Sequence, residues 1–208
     1  THNSDVESKD IQVNGVTANR VMQENTGQLQ LNDSDESELK TFTKEQKKDL
    51  QEKGMAKVKQ FEQYINTISN KLTSPEIASQ TTENALKLFY DPNDNYVEVS
   101  SKNRPGKRRL KVPLYLERLR LLNYDNVIIE WADLNYASEF VLAQDNTYRA
   151  YIISRQRFVA MKDNVVTYED EVTKRTEIVI TQYKKSIDGI MTDNYDVFLG
   201  DISLEHTE

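Results

Sequence analysis

Leu50, Val58, Phe61, Ile65, Ile68 and Leu72 recur mostly three or four residues apart. That spacing makes one apolar stripe on a helix and predicts a helix over 44–72. Thr43 with Gln46 three residues on forms a capping box at its start. Gly54 inside it costs about 1 kcal/mol relative to Ala. Ser74-Pro75-Glu76 is a second start signal, since Ser caps, Pro fits the first turn and Glu favours the positive helix end. Ile77, Ala78, Ala85, Leu86 and Phe89 follow as its apolar face, and the turn residues 91–95 stop it. Residues 96–100 alternate as a short strand. Residues 101–111 read as a polar, basic loop. Pro113 opens a third helix, with Leu114, Tyr115, Leu116, Leu119, Leu121 and Leu122 as broad apolar coverage, ending near Asn123.

Beyond that point the period changes from 3.6 to 2. Residues 127–131 form a strand, and 137–142 with 148–158 form a hairpin across 144–146. Residues 162–164 make a tight turn, and 176–183 and 195–204 are two further strands. The order is helix, helix, short strand, helix, then about five antiparallel strands: an α+β fold. Residues 1–40 differ. Eight acids stand against two bases within 1–38, with little apolar surface. The organisation expected is an acidic polar arm or linker at 1–40, with a short strand at 11–16 or 21–22, and a single α+β domain at 41–208.

In element order, residues 44–205 resemble the nuclear transport factor 2-like superfamily, which includes SnoaL-like cyclases and ketosteroid isomerases. Ala85-Leu86-Lys87-Leu88-Phe89-Tyr90-Asp91, followed by Tyr96-Val97-Glu98-Val99, looks like that family's second helix running into its first strand. The resemblance implies helices packed on a curved antiparallel sheet, a cone with an apolar pocket between the third helix and the concave face. Cystatin-like folds are the alternative. No activity follows, because this fold hosts enzymes, binding proteins and assembly domains.

Composition narrows the chemistry. The chain has 208 residues, a formal net charge of −7 and no Cys. An acidic chain is poorly suited to phosphate backbones, so no nucleic acid is expected. Without Cys there are no disulfides, thiolate nucleophiles or cysteine-ligated metals. The two histidines, His2 and His206, lie near the termini, which argues against histidine catalysis and His-rich metal sites. No run approaches the roughly 18 apolar residues of a membrane span. The chain has six Gly and no glycine-rich phosphate loop, so no nucleotide cofactor is expected. No other cofactor is indicated.

Asp91, Asp94, Glu98, Glu130 and Asp133 lie near the expected cone mouth, where a buried Asp could abstract a proton beside a carbonyl. Asp91 and Asp94 equally suit local turn bonds, and Glu130 alternates to solvent if Trp131 faces inward. Calcium at 91–95 lacks the spacing and glycine of an EF-hand loop. Tyr90, Tyr115, Trp131, Tyr136 and Phe158 are pocket candidates, with core filling as the alternative. Residues 102–111 carry six cations, and Lys107, Arg108 and Arg109 are the candidates for an anion or an acidic partner. A solvated loop is the alternative there. The function expected is a non-catalytic binding or interaction domain for a small apolar ligand or a protein partner. The rival is an isomerase, dehydratase or cyclase with an Asp/Tyr pair in the cone. The polar leading segment, Thr at position 1 and the lack of Cys fit an exported bacterial protein, periplasmic or at the cell surface, although a cytoplasmic chain would read the same. Both alternating sets of 148–158 and 176–183 keep apolar members. A homodimer through the outer sheet face, cover by the arm and a solvated face are the three readings of that pattern.

Overall fold

A computed structural model describes residues 42–102 and 104–205. The expectations for the 1–40 arm, and for His2 and His206, lie outside the described residues. Among the described residues three helices, α1 (Lys44–Ser69), α2 (Pro75–Leu86) and α3 (Val112–Arg120), are joined with seven strands: β1 (Tyr96–Ser101), β2 (Arg104–Lys111), β3 (Asn126–Tyr136), β4 (Val141–Leu142), β5 (Tyr148–Lys162), β6 (Val165–Ile187) and β7 (Ile190–Leu204). The sheet runs β2-β1-β7-β6-β5-β3, with β4 paired to β5. It is mixed rather than antiparallel throughout, because β1 lies parallel to β7 at Val97 and Ile202. The reason is topological: the chain passes from β2 at one edge through α3 to β3 at the other, so β1 and β7 become neighbours without a hairpin between them to impose antiparallel pairing. Among the described residues no helix is long and apolar enough to cross a membrane.

Helix α1 follows its sequence signals. The Gln46 amide nitrogen donates to Thr43 Oγ1 at 3.2 Å, and Thr43 N donates to Gln46 Oε1 at 2.9 Å. Leu50, Val58, Phe61, Ile65 and Ile68 are buried along one stripe. The helix stops at Ser69 rather than 72, and Leu72 is exposed. Asn70 turns the chain there, accepting the Leu72 amide on Oδ1 at 2.9 Å. In α2 the buried face is Ala78, Thr81 and Ala85, and Ile77, expected inside, is exposed. Beyond the helix Phe89 faces Leu199 in a short parallel bridge, in which the Leu199 amide donates to the Leu88 carbonyl and the Tyr90 amide donates to the Leu199 carbonyl, both at 2.8 Å.

The segment 101–111, expected as a loop, is largely β2, an edge strand in register with β1 from Tyr96↔Lys111 to Ser101↔Arg104. A row of Lys and Arg is how edge strands commonly resist further pairing, which is why the pattern read as a loop. The tight turn after β5 has Asp163 and Asn164 at φ 52° and 61°. Asp188 and Gly189, between β6 and β7, sit at φ 51° and 81°. Both pairs match the two-residue hairpin turn whose central residues need positive φ.

On the inner sheet face, Trp131, Ile129, Ile152, Ile178, Ile180 and Leu199 pack against the helices. Trp131 is 1 % exposed and meets Phe61 edge-on at 6.1 Å. The outer face of β3, β5 and β6 is laced by ion pairs. Arg157 joins Glu130 at 3.3 Å and Glu169 at 2.8 Å, and Arg155 joins Asp133 at 2.5 Å.

Candidate functional site

A pocket of about 290 Å³ opens between α3 and the inner face of the sheet. Helix α3 presents Tyr115 and Leu119 to it, four apart as one helical face requires, and Leu122 joins them from just beyond the helix. The sheet contributes Leu110, Phe158 and Val172. These groups make apolar walls. The volume lies at the small end of the roughly 300–1,000 Å³ usual for ligand pockets.

Polar groups are few and convergent. Arg108 from β2 and Arg118 from α3 line the pocket and are exposed. Neither forms an ion pair among the described residues. Asp170 and Tyr168 of β6 make a pair on the opposite wall, the Tyr168 hydroxyl donating to Asp170 Oδ2 at 2.8 Å. The Lys102 amide donates to that same hydroxyl at 3.1 Å, and Lys102 Nζ lies 3.8 Å from Asp170 Oδ1.

Lys174 is the least expected member. It lines the pocket yet is only 2 % exposed. Its Nζ donates to the Glu98 carbonyl oxygen, and it has no carboxylate partner among the described residues. Burial pushes its pKa down to about 7; the Glu98 charge opposes the shift and the Lys107 charge adds to it. Beside it on the inner face of β5 stands Ser154, paired across the ladder, and Ser154 Oγ is buried without a hydrogen bond. Gln156, 9 % exposed, also lines the pocket, and its side-chain amide makes no hydrogen bond among the described residues.

The expected pocket residues divide. Tyr115 and Phe158 line this pocket. Trp131 and Tyr136 are packed elsewhere in the interior, Trp131 against Phe61 and Tyr136 against Phe140 at 5.8 Å. Tyr90 lies near Phe198 and Arg149, away from the pocket. Of the three cation candidates, only Arg108 reaches the pocket. Arg109 lies over the Tyr96 ring at 3.3 Å, and Lys107 donates to the Leu204 carbonyl at 2.9 Å. Alternation along β2 sends its neighbours to opposite faces, so three adjacent cations cannot act as one cluster. Among the carboxylates, Asp91 accepts the Asn93 and Asp94 amides at 3.1 Å and so acts in its own turn. Asp94 pairs with Lys111 at 2.7 Å, and Glu98 Oε2 accepts the Leu204 amide at 2.9 Å. Among the described residues no three metal-ligating side chains gather.

Lys174, Asp170 and Gln156 are not among the residues that the sequence patterns single out. A signal was present. Counting back by twos from Ile180 through Ile178 and Thr176 reaches Lys174, Val172 and Asp170 on the inward set. Comparison with protein-family models, with curated proteins and with solved structures finds no match.

Proposed function

We propose that this chain is a binding domain that takes a small, mostly apolar molecule into the pocket between α3 and the sheet. The fold is read as nuclear transport factor 2-like, with the pocket under the third helix as that resemblance implies. The observation that carries the reading is the set of apolar walls, Leu110, Leu119, Phe158 and Val172, around a space that their own side chains leave open. Export from a bacterial cytoplasm, to the periplasm or cell surface, is part of the same proposal, supported by the polar, acidic composition of residues 1–40, and cell fractionation tests it.

Titration with the neutral fluorophore N-phenyl-1-naphthylamine tests the binding. The expected result is saturable one-to-one binding that Val172→Trp, which fills the pocket, abolishes while unfolding stays cooperative. Absence of binding to the parent protein overturns the reading. The Tyr168–Asp170 pair favours a second reading, an isomerase, dehydratase or cyclase, since a carboxylate beside a phenol can exchange a proton next to a carbonyl. Deuterium exchange into a small ketone, lost in Asp170→Asn, would transfer the assignment to that reading.

A further inference from the structure

Lys174 poses a problem that the aliphatic interior does not solve. A buried ammonium needs a counter-charge and hydrogen-bond acceptors for its three N–H groups. One acceptor is present, the Glu98 carbonyl oxygen, and the Glu98 carboxylate, which accepts the Leu204 amide, acts on Lys174 as a nearby charge without forming an ion pair among the described residues. Lys174 also lines the cavity, whose occupant can supply the other acceptors. Gln156 beside it has an unused amide, and Arg108 and Arg118 at the opening have no ionic partner among the described residues. Among the described residues three cations therefore surround one apolar space, and the single acid on its wall, Asp170, is already engaged by Tyr168 and Lys102.

We propose that the ligand of this pocket is an amphipathic organic anion, whose oxyanion pairs with Lys174 and is steered in by Arg108 and Arg118 while its apolar part lies against α3. This rests on the binding reading above and names its ligand class. The cations complement the head group, and Tyr115, Leu119 and Phe158 complement the tail. The chain's net charge of −7 repels anions at long range, so the local cations give selectivity more than a fast encounter.

Proton linkage follows from the same geometry. The charged or titratable groups around Lys174 are Glu98 of β1, Lys107 and Arg108 of β2, Tyr115 and Arg118 of α3, and on its own strand the Tyr168–Asp170 pair. Strand β5 presents the uncharged Ser154 and Gln156, and β7 places Leu204 opposite. An anion placed at Nζ favours the protonated amine, so binding takes up a proton when free Lys174 is part neutral. Arginine stays charged and adds no slope in this range.

Calorimetric titration with octanoate, octan-1-ol and octylamine tests the proposal on the whole chain. Octanoate is expected to bind at least tenfold more tightly than octanol, and octylamine more weakly than both. The octanoate Kd should rise by more than about tenfold from pH 6.5 to 8.5, the slope approaching tenfold per pH unit at the alkaline end. Lys174→Met should flatten that profile and remove the preference over octanol while octanol still binds. Equal affinity for octanoate and octanol overturns the anion assignment and leaves the binding domain standing. Failure of all three to bind overturns both. The pH profile of the parent protein needs no variant, and a flat profile with bound octanoate also overturns the role of Lys174.

Discussion

A methyl group at Gly54 would sit 2.0 Å from the Tyr136 hydroxyl oxygen. Gly54 is thus the seat of a phenol on α1, and its helix cost is offset by close packing. The Tyr136 hydroxyl is buried without a hydrogen bond. Tyr136→Phe should therefore be neutral or stabilising by roughly 1 kcal/mol, and Gly54→Ala destabilising by roughly 1–3 kcal/mol despite its better propensity. Urea denaturation of both, and of the double variant, checks this: the alanine should cost less once the hydroxyl is gone. Lys174 gives a second residue-scale expectation. Its folded pKa of about 7 lies below the ordinary 10.5. Between those values the unfolded chain holds a proton that the folded chain has shed, so stability rises with pH by up to about 1.4 kcal/mol per pH unit. Below pH 7 that gain is absent. Tyr115 and Tyr136 act oppositely above pH 10, because burial raises both phenols. Unfolding free energies of the parent minus those of Lys174→Met, taken from about pH 6.5 to 9.5, should slope upward. A flat difference would place the amine in water.

At the scale of elements, the two ends of the long β6 strand are set by turn chemistry. Asp163-Asn164 and Asp188-Gly189 both put two consecutive residues at positive φ. Gly189 adopts φ 81° without a Cβ to object. Gly189→Ala should lower stability by about 1 kcal/mol, read as a reduced urea midpoint at unchanged slope. Between those turns, β6 alternates Asp170, Val172, Lys174, Thr176, Ile178 and Ile180 along its inward set. Polar members gather at the pocket end and apolar ones beneath α1. The strand is thus core at one end and site at the other, a gradation that a reading beginning at Thr176 cuts off. Helix α3 shows the same economy on a shorter span. Leu116 is buried in the core while Arg118 and Leu119 reach the pocket.

For the whole molecule the open question at sequence scale was the outer sheet face. Tyr151 there lies under the Arg175 guanidinium at 3.7 Å, and Arg149 is shared by Asp145 at 2.7 Å and Glu177 at 3.0 Å. Each exposed pair contributes little, on the order of 0–1 kcal/mol. Together they leave arginines matched within one chain, so a second copy would have to displace pairs already made. We therefore expect a monomer by light scattering at micromolar concentration. A dimer that Arg155→Glu dissociates would return that face to the interface role its mixed composition suggests.

The local signals in the chain were sufficient for α1 with its Thr43 cap, for α2 from Ser74, for the shift to strands after Asn123, and for the inward Trp131. Each depends on neighbours within a few residues, where backbone geometry alone relates side chains. The edge strand β2 was hidden because its charges, which protect an edge, look like those of a loop. The pocket was hidden for a different reason. Val99, Arg108, Tyr115, Phe158 and Lys174 converge only through the β1–β7 contact and the long β5–β6 ladder. Two aromatic candidates reached it and three did not, since composition supplies rings but only packing decides which rings leave a gap. The burial of Lys174 belongs to the tertiary structure alone. A lysine on a strand reads as solvated until the elements that close over it are in place.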